Sequence, residues 1–263
     1  MKKPIYKQFI FKKPSRSLID GITMNPQYGK PVYETAVQQH GEYVKAIQNL
    51  GIKTHVLEPN EQYPDSCFVE DPAVIVSKKL AILTNPGTSS RNGEVFQIYE
   101  ALREHFKPSQ IKTITFPGTM DGGDVMEVGD TFYIGVSART NKEGIKQFAS
   151  YVKAEGKKVV SVPLHEYLHL KTGVNYIENN NLLITGEFVG NPIFDKFNQI
   201  VVSKEEEYGA NCVYVNGYLI MPKGYPEVQN KLEKLKGYKG LIILDTSEFK
   251  KIDGGLTCLS LRF

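Results

Sequence analysis

Two side chains stand out as chemically capable, a cysteine near the end of the chain, Cys258, and a histidine at mid-chain, His169. A cysteine thiolate is a strong nucleophile even toward poor electrophiles, and imidazole exchanges protons near neutral pH. Carboxylates gather in Glu70-Asp71 and in Asp121-Gly122-Gly123-Asp124. A cysteine, a histidine and several carboxylates around one cavity would suit covalent catalysis on a cationic group, because carboxylates hold a cation through charge-assisted hydrogen bonds. Taken singly, each residue has a packing alternative. Cys258, within LTCLSL, also reads as a small core hydrophobe, as do Cys67 and Cys212. His169, within YLHLKTG, reads equally as a satisfied core histidine, and Asp121 as a turn residue. Glu70 and Asp71 can be a solvated pair ahead of Pro72, and Arg91 and Arg139 can be surface residues.

Placement along the chain separates these readings. Residues 74–83 (VIVSKKLAIL) read as strands around a Lys-Lys turn, and 125–136 (VMEVGDTFYIGV) as strands around Gly129-Asp130. Residues 174–184 (VNYIENNNLLI) turn on an Asn-rich stretch, and 213–221 (VYVNGYLIM) on Asn216-Gly217, a strong hairpin signal. After the first hairpin, Val95, Phe96, Tyr99, Leu102 and Phe106 mark one helix face, and IKTITF reads as a strand. Ile145, Phe148, Ala149 and Val152, then KKVVSV, repeat the pattern after the second, and Val228, Leu232 and Leu235, then GLIIL, after the fourth. The third unit has a shorter, less helical middle before QIVVS. The start of the chain supplies a helix face (Val37, His40, Val44, Ile47, Leu50) and the strand IKTHVL. The missing fifth hairpin can be made from the last strand, LTCLSLRF, and the first, IYKQFIF. This predicts an α/β fold: a five-bladed, pseudo-symmetric propeller of ββαβ units around a central channel, closed by the two chain ends. Glu70-Asp71, Asp121–Asp124 and His169 each come just before a hairpin and Cys258 lies in the closing one, so all would converge on the channel.

Composition bounds the rest. Hydrophobic residues make up 41% and charged residues 23%, ordinary for a globular protein, and no linker divides the chain, so one catalytic domain over 1–263 is expected. The net charge of +3 is small and its lysines and arginines are scattered, so no nucleic-acid partner is expected. No apolar run approaches the ~18 residues of a membrane span. The opening MKKPIYKQFIFKKPSRS has no apolar core, so neither a signal peptide nor a membrane partner is expected. The three cysteines are far apart with no C-x-x-C, which argues against a disulfide framework or zinc finger and for a cytoplasmic protein. Exposed strand edges on such a ring are compatible with a homodimer.

The stretches RSLIDGIT (16–23), YPDSCFVEDPAVI (63–75), TMDGGDVMEVGDTFYIGVSARTN (119–141), LHLKTG (168–173), YGANCVYVN (208–216) and KIDGGLTCLSLRF (251–263) resemble those of bacterial dimethylarginine dimethylaminohydrolases. These belong to the guanidino-group-modifying superfamily with the pentein fold. The resemblance implies hydrolysis of methylated free L-arginine to citrulline and a methylamine through a covalent cysteine intermediate, with no metal or cofactor and a small-molecule substrate. It places the nucleophile on Cys258, the catalytic histidine on His169 and its acidic support on Asp121, where some relatives carry Glu. It places the carboxylates facing the guanidinium and amino groups on Asp65, Glu70 and Asp71, and the arginines gripping the α-carboxylate on Arg91 and Arg139. Backbone contacts to the substrate's amino end fall on Ile22, where relatives often have Leu, and on Ile252. Alternatives are a deiminase-like hydrolase of unmethylated arginine and a non-catalytic, ribosome-associated propeller. Arginine deiminases and amidinotransferases are longer, and the binding protein would lack the Cys/His pair.

Overall fold

The computed structural model describes residues 3–263. Strand β1 (Gln8–Lys12) leads through helix α1 (Tyr33–Asn49) to β2 (Lys53–Leu57). The next unit is β3 (Ala73–Ser77), β4 (Leu80–Leu83), α2 (Glu94–Arg103) and β5 (Ile111–Thr113). It is followed by β6 (Val125–Val128), β7 (Thr131–Val136), α3 (Lys142–Lys153) and β8 (Lys158–Pro163). The short helix α4 (Leu170–Gly173) opens the next unit, β9 (Val174–Tyr176), β10 (Asn181–Ile184) and β11 (Asn198–Val201). The last strands are β12 (Val213–Val215), β13 (Tyr218–Pro222), β14 (Gly240–Leu244) after α5 (Pro226–Glu233), and β15 (Leu261–Arg262) after α6 (Ser247–Lys250).

The strands form five three-stranded sheets, each an antiparallel hairpin with a third strand added in parallel. The fifth sheet is the predicted closure: β1 pairs antiparallel with β15 (Ile10 opposite Leu261) and parallel with β2. The middle strands β4 (LAIL) and β10 (NLLI) are buried at every position. Flanked by neighbours on both faces, they need no polar face, which explains apolar runs without alternation. The β12–β13 turn places Asn216 at φ 51° and Gly217 at φ 103°, the left-handed pair that a tight hairpin turn requires. In the third unit the crossover from β10 to β11 is a pair of 3-10 turns, Gly186–Phe188 and Pro192–Phe194. Gly190 at φ 79° and Pro192 interrupt any helix there.

Apolar side chains fill the seams between sheets rather than the channel. Ile10 and Leu261 pack with Leu83 of β4 and Ile98 and Leu102 of α2. Phe132 and Ile134 of β7 meet Ile82 of β4 and Phe148 of α3 in the next seam. Truncating such a residue to alanine costs about 2–5 kcal/mol, so each seam holds its two units at a fixed angle. That fixed angle is what aims the loops at the ring's centre.

Candidate active site

The loop entering the inner strand of each sheet carries polar groups at the same relative place. Glu70-Asp71 precede β3, Asp121–Asp124 precede β6, His169 precedes α4 and β9, Asn211 precedes β12, and Cys258 precedes β15. Asp71, His169 and Cys258 line one small cavity together with Ile22, Asp65, Arg91, Arg139 and Ile252. Asp121 is fully buried directly behind His169. Cys258 is not in a strand, contrary to the reading of LTCLSLRF as one; pairing starts only at Leu261. The Asn211 side chain accepts from the Thr257 amide (3.0 Å) and donates to the Thr257 hydroxyl (3.1 Å), holding residues 255–258 in a turn. The Cys258 amide donates to the Gly255 carbonyl (3.1 Å), and the half-buried residue lines the cavity.

His169 Nε2 lies 3.0 Å from Asp121 Oδ2, while Asp121 Oδ1 accepts from the Gly87 amide at 2.8 Å. The loops carrying Asp121 and Arg139 are tied together by Asn141, the N-cap of α3. Its side chain accepts from Gly144 (2.8 Å) and from Thr119 (3.1 Å). Gly123 has no substitute here, because an added Cβ would lie 2.7 Å from His169 Nδ1 and 2.9 Å from Asp71 Oδ1. One acceptor each from Asp71 and Asp121 and a nitrogen of His169 lie within 4.8 Å of one another. On the outer surface His55, Glu104 and His105 lie equally close together.

Burial lowers the proton affinity of His169, but Asp71, the Asp121 hydrogen bond and Asp124 outweigh it, raising its pKa to about 9. The imidazolium therefore prevails at neutral pH. Burial also resists ionisation of Asp71, yet Arg91 and His169 bring its pKa down to about 2. For Cys258, burial, Glu70 and Asp71 all act the same way and push the thiol up to about 12. The resting cysteine is thus a thiol, and a cation beside it would change that. Alkylation of Cys258 by iodoacetamide is expected to show a high apparent pKa alone. With guanidinium ion at low millimolar concentration that pKa should fall by about 1–3 pH units; an unmoved profile would refute activation by the bound cation.

The remaining predicted residues divide. Ile22 donates its amide to Asp65 (3.1 Å) and, with Ile252 and Arg139, lines the cavity. Glu70 lies elsewhere. It lines a second cavity behind the site, where its Oε1 accepts from Lys171 Nζ and Arg262 Nη2, both at 2.6 Å. Arg91 is deeply buried, its guanidinium bonded to Glu94 through Nε (2.9 Å) and Nη2 (2.7 Å) and to Asp71 through Nη1 (2.5 Å). The other Nη2 hydrogen meets the Phe68 carbonyl (3.3 Å), so of five N–H donors only one, on Nη1, is left for a ligand. Arg139 is less committed, its Nη1 3.6 Å from Asp121 Oδ2. Arg91→Ala is therefore expected to destabilise the fold by about 3–5 kcal/mol, since it strands buried carboxylates. Arg139→Ala should leave the urea midpoint nearly unchanged and mainly raise KM; the reverse ranking would contradict these assignments.

Several site residues escaped the sequence reading. Asp124 is fully buried and accepts from Ser137 (2.7 Å), Thr140 (2.6 Å) and the Leu170 amide (2.9 Å), which fixes the backbone next to His169. It belonged to a noticed cluster but was given no role. Asn211 sits at the repeat position that had no assigned residue, so the repeat itself was the signal. Lys171, Arg262 and Glu94 carried no local signal.

The family model described as N,N dimethylarginine dimethylhydrolase, eukaryotic, matches residues 17–218. The chain is 48% identical over 259 residues to the N(G),N(G)-dimethylarginine dimethylaminohydrolase of Pseudomonas aeruginosa, covering 98% of this chain and 100% of that relative. The chain belongs to the dimethylarginine dimethylaminohydrolase family.

Structures of this family superpose closely on it. A cysteine-to-serine mutant of the Pseudomonas aeruginosa enzyme, complexed with citrulline, matches with a TM-score of 0.94 and 47% identity, covering 99% of this chain and 100% of that one. A dimethylarginine dimethylaminohydrolase with a histidine-to-glycine change, forming an adduct with S-methyl-L-thiocitrulline, also gives 0.94, at 47% identity over 98% of this chain and 100% of the other. The five-unit α/β propeller is thus the fold of the dimethylarginine dimethylaminohydrolases.

Proposed function

We propose that this protein hydrolyses Nω-methylated free L-arginine to citrulline and methylamine or dimethylamine, through a thiouronium on Cys258. The observation that carries this reading is the meeting of Cys258, His169 and Asp71 in one cavity, with Asp121 bonded behind His169.

Asp71, ionised at any physiological pH, receives the guanidinium N–H groups, and Arg139 with the free Nη1 hydrogen of Arg91 grips the α-carboxylate. Asp65 and the backbone at Ile22 and Ile252 face the amino end. Glu70 acts from behind, through its charge near Cys258 and through its amide, which donates to the Cys258 carbonyl at 3.1 Å. The substrate cation offsets the carboxylates that keep Cys258 protonated, and the thiol loses its proton to solvent. Sulfur then bonds to the guanidinium carbon, giving a tetrahedral adduct. The carbon–nitrogen bond to the methylated nitrogen breaks as His169, already an imidazolium, donates the leaving amine its proton. His169, now neutral, accepts a proton from water. The hydroxide adds to the thiouronium carbon, the carbon–sulfur bond breaks as the added hydroxyl's proton passes to the departing sulfur, and citrulline leaves with the Cys258 thiol restored. Asp121 holds the ring in one orientation through both steps.

Incubation with asymmetric dimethylarginine and with arginine side by side tests the reading. Citrulline with stoichiometric dimethylamine is expected; citrulline and ammonia from arginine alone would make it a deiminase. A reducing, cytoplasmic setting suits its three free thiols. Among the described residues no helix is long and apolar enough to cross a membrane.

A further inference from the structure

The cavity that holds the proposed amino-acid grip is small, about 30 Å³. It does not end at the reacting pair. Leu168, His169, Asp253 and Cys258 also form one wall of a second chamber of about 330 Å³. None of Ile22, Asp65, Arg91, Arg139 or Ile252 reaches that chamber; its far wall is built from Tyr28, Glu166, Tyr167, Lys204, Glu207 and Tyr208. The order in space is amino-acid grip, then Cys258 and His169, then chamber. A substrate held by its α-carboxylate with its guanidinium carbon at Cys258 has one guanidinium nitrogen directed back along its own arm. The nitrogen that receives the proton of His169 lies on the side away from the arm, where the chamber opens.

We propose that this chamber is a leaving-group subsite, so that the enzyme accepts free L-arginines carrying Nω-alkyl groups well beyond methyl and releases the corresponding primary alkylamine with citrulline. The inference rests on the hydrolase reading above and extends it to a wider substrate class. Space and surface both favour it. By the measure under which one water needs about 10–15 Å³, the chamber of about 330 Å³ takes a chain of several carbons. Tyrosine rings in its wall offer apolar surface that also tolerates a positive end. The Lys250 ammonium already sits 5.0 Å from the Tyr28 ring and 5.3 Å from the Tyr208 ring. The bond exchange is the one already given: the carbon–sulfur bond forms, the bond from carbon to the alkylated nitrogen breaks, and His169 supplies that nitrogen's proton. Simple alkylamines are similar leaving groups, so differences along an alkyl series report fit rather than chemistry.

The test is a series of Nω-methyl-, ethyl-, n-propyl- and n-butyl-L-arginine, with citrulline and amine followed by mass spectrometry. Dimethylarginine is run beside them. The expected result is kcat/KM that falls by no more than about tenfold anywhere in the series, since a methylene added inside the chamber is neutral in open space and favourable against apolar surface. A hundredfold or greater fall between methyl and propyl, with dimethylarginine still hydrolysed, overturns the subsite. Failure on dimethylarginine itself would instead overturn the hydrolase reading. Glu166→Trp places a large ring at the chamber wall. The Glu166 backbone amide donates a hydrogen bond to the Glu187 carboxylate (2.9 Å), so the loop keeps its path. This variant is expected to leave methylarginine turnover near the parent value and to cut butylarginine turnover at least tenfold; an equal effect on both would place the alkyl group elsewhere.

Discussion

Cys258→Ser is expected to lower turnover of dimethylarginine by about 10⁴-fold or more, the scale seen when a covalent nucleophile is removed, with an unchanged melting temperature. The hydroxyl is a far weaker nucleophile toward a delocalised cation than a thiolate. The fold does not depend on this side chain, because the turn around it is held by backbone and by Asn211. Losing the sulfur also removes an acid pushed up to about 12, so substrate binding should survive the change. Steady-state citrulline release and equilibrium binding of dimethylarginine check the two halves separately. Retained turnover would end the thiouronium mechanism. Lost binding together with a lowered melting temperature would mean that Cys258 is mainly a packing residue.

His169→Asn is the second large effect, with kcat expected to fall by about 10²–10⁴-fold. The ring does two jobs in sequence, acid to the amine and then base to water. Its raised pKa of about 9 suits the first, because the proton is in place before substrate arrives. The same shift carries a stability consequence. The imidazolium is favoured by folding, so its contribution is complete below about pH 6.5 and is lost as pH rises through about 9. The variant should lack that fall in melting temperature over this window. Rapid-quench mass spectrometry on a substrate with a good leaving group should show a covalent adduct on Cys258 that hydrolyses slowly. Full-speed hydrolysis of the adduct would show that water is activated by another group.

Much of this was legible in the residues. Strand and helix periodicity located every hairpin, and Asn216-Gly217 specified its own turn. The weak middle of the third unit's crossover and the pairing of the chain's two ends were also readable, because they follow from short-range apolar spacing and from a repeat that leaves one unit without its hairpin. Cys258 was assigned to a strand because LTCLSLRF is the segment that could supply the missing fifth hairpin. A side-chain lock from Asn211, 46 positions away from Thr257, turns its first residues instead, and local sequence carries no record of such a partner.

Charge pairing was the least readable layer. Arg91 looks like any surface arginine until Asp71 and Glu94 close on it, and Glu70 meets Arg262 across 192 positions of chain. By itself the order of amino acids determined the repeat, the ring and the inventory of reactive groups, since those depend on hydrophobic spacing and on chemical type. Tertiary structure alone decided the ionisation of Cys258 and His169, the side of the channel on which Glu70 lies, and the open chamber beyond the nucleophile. Burial and charge proximity act through space, and only the closed ring sets those distances.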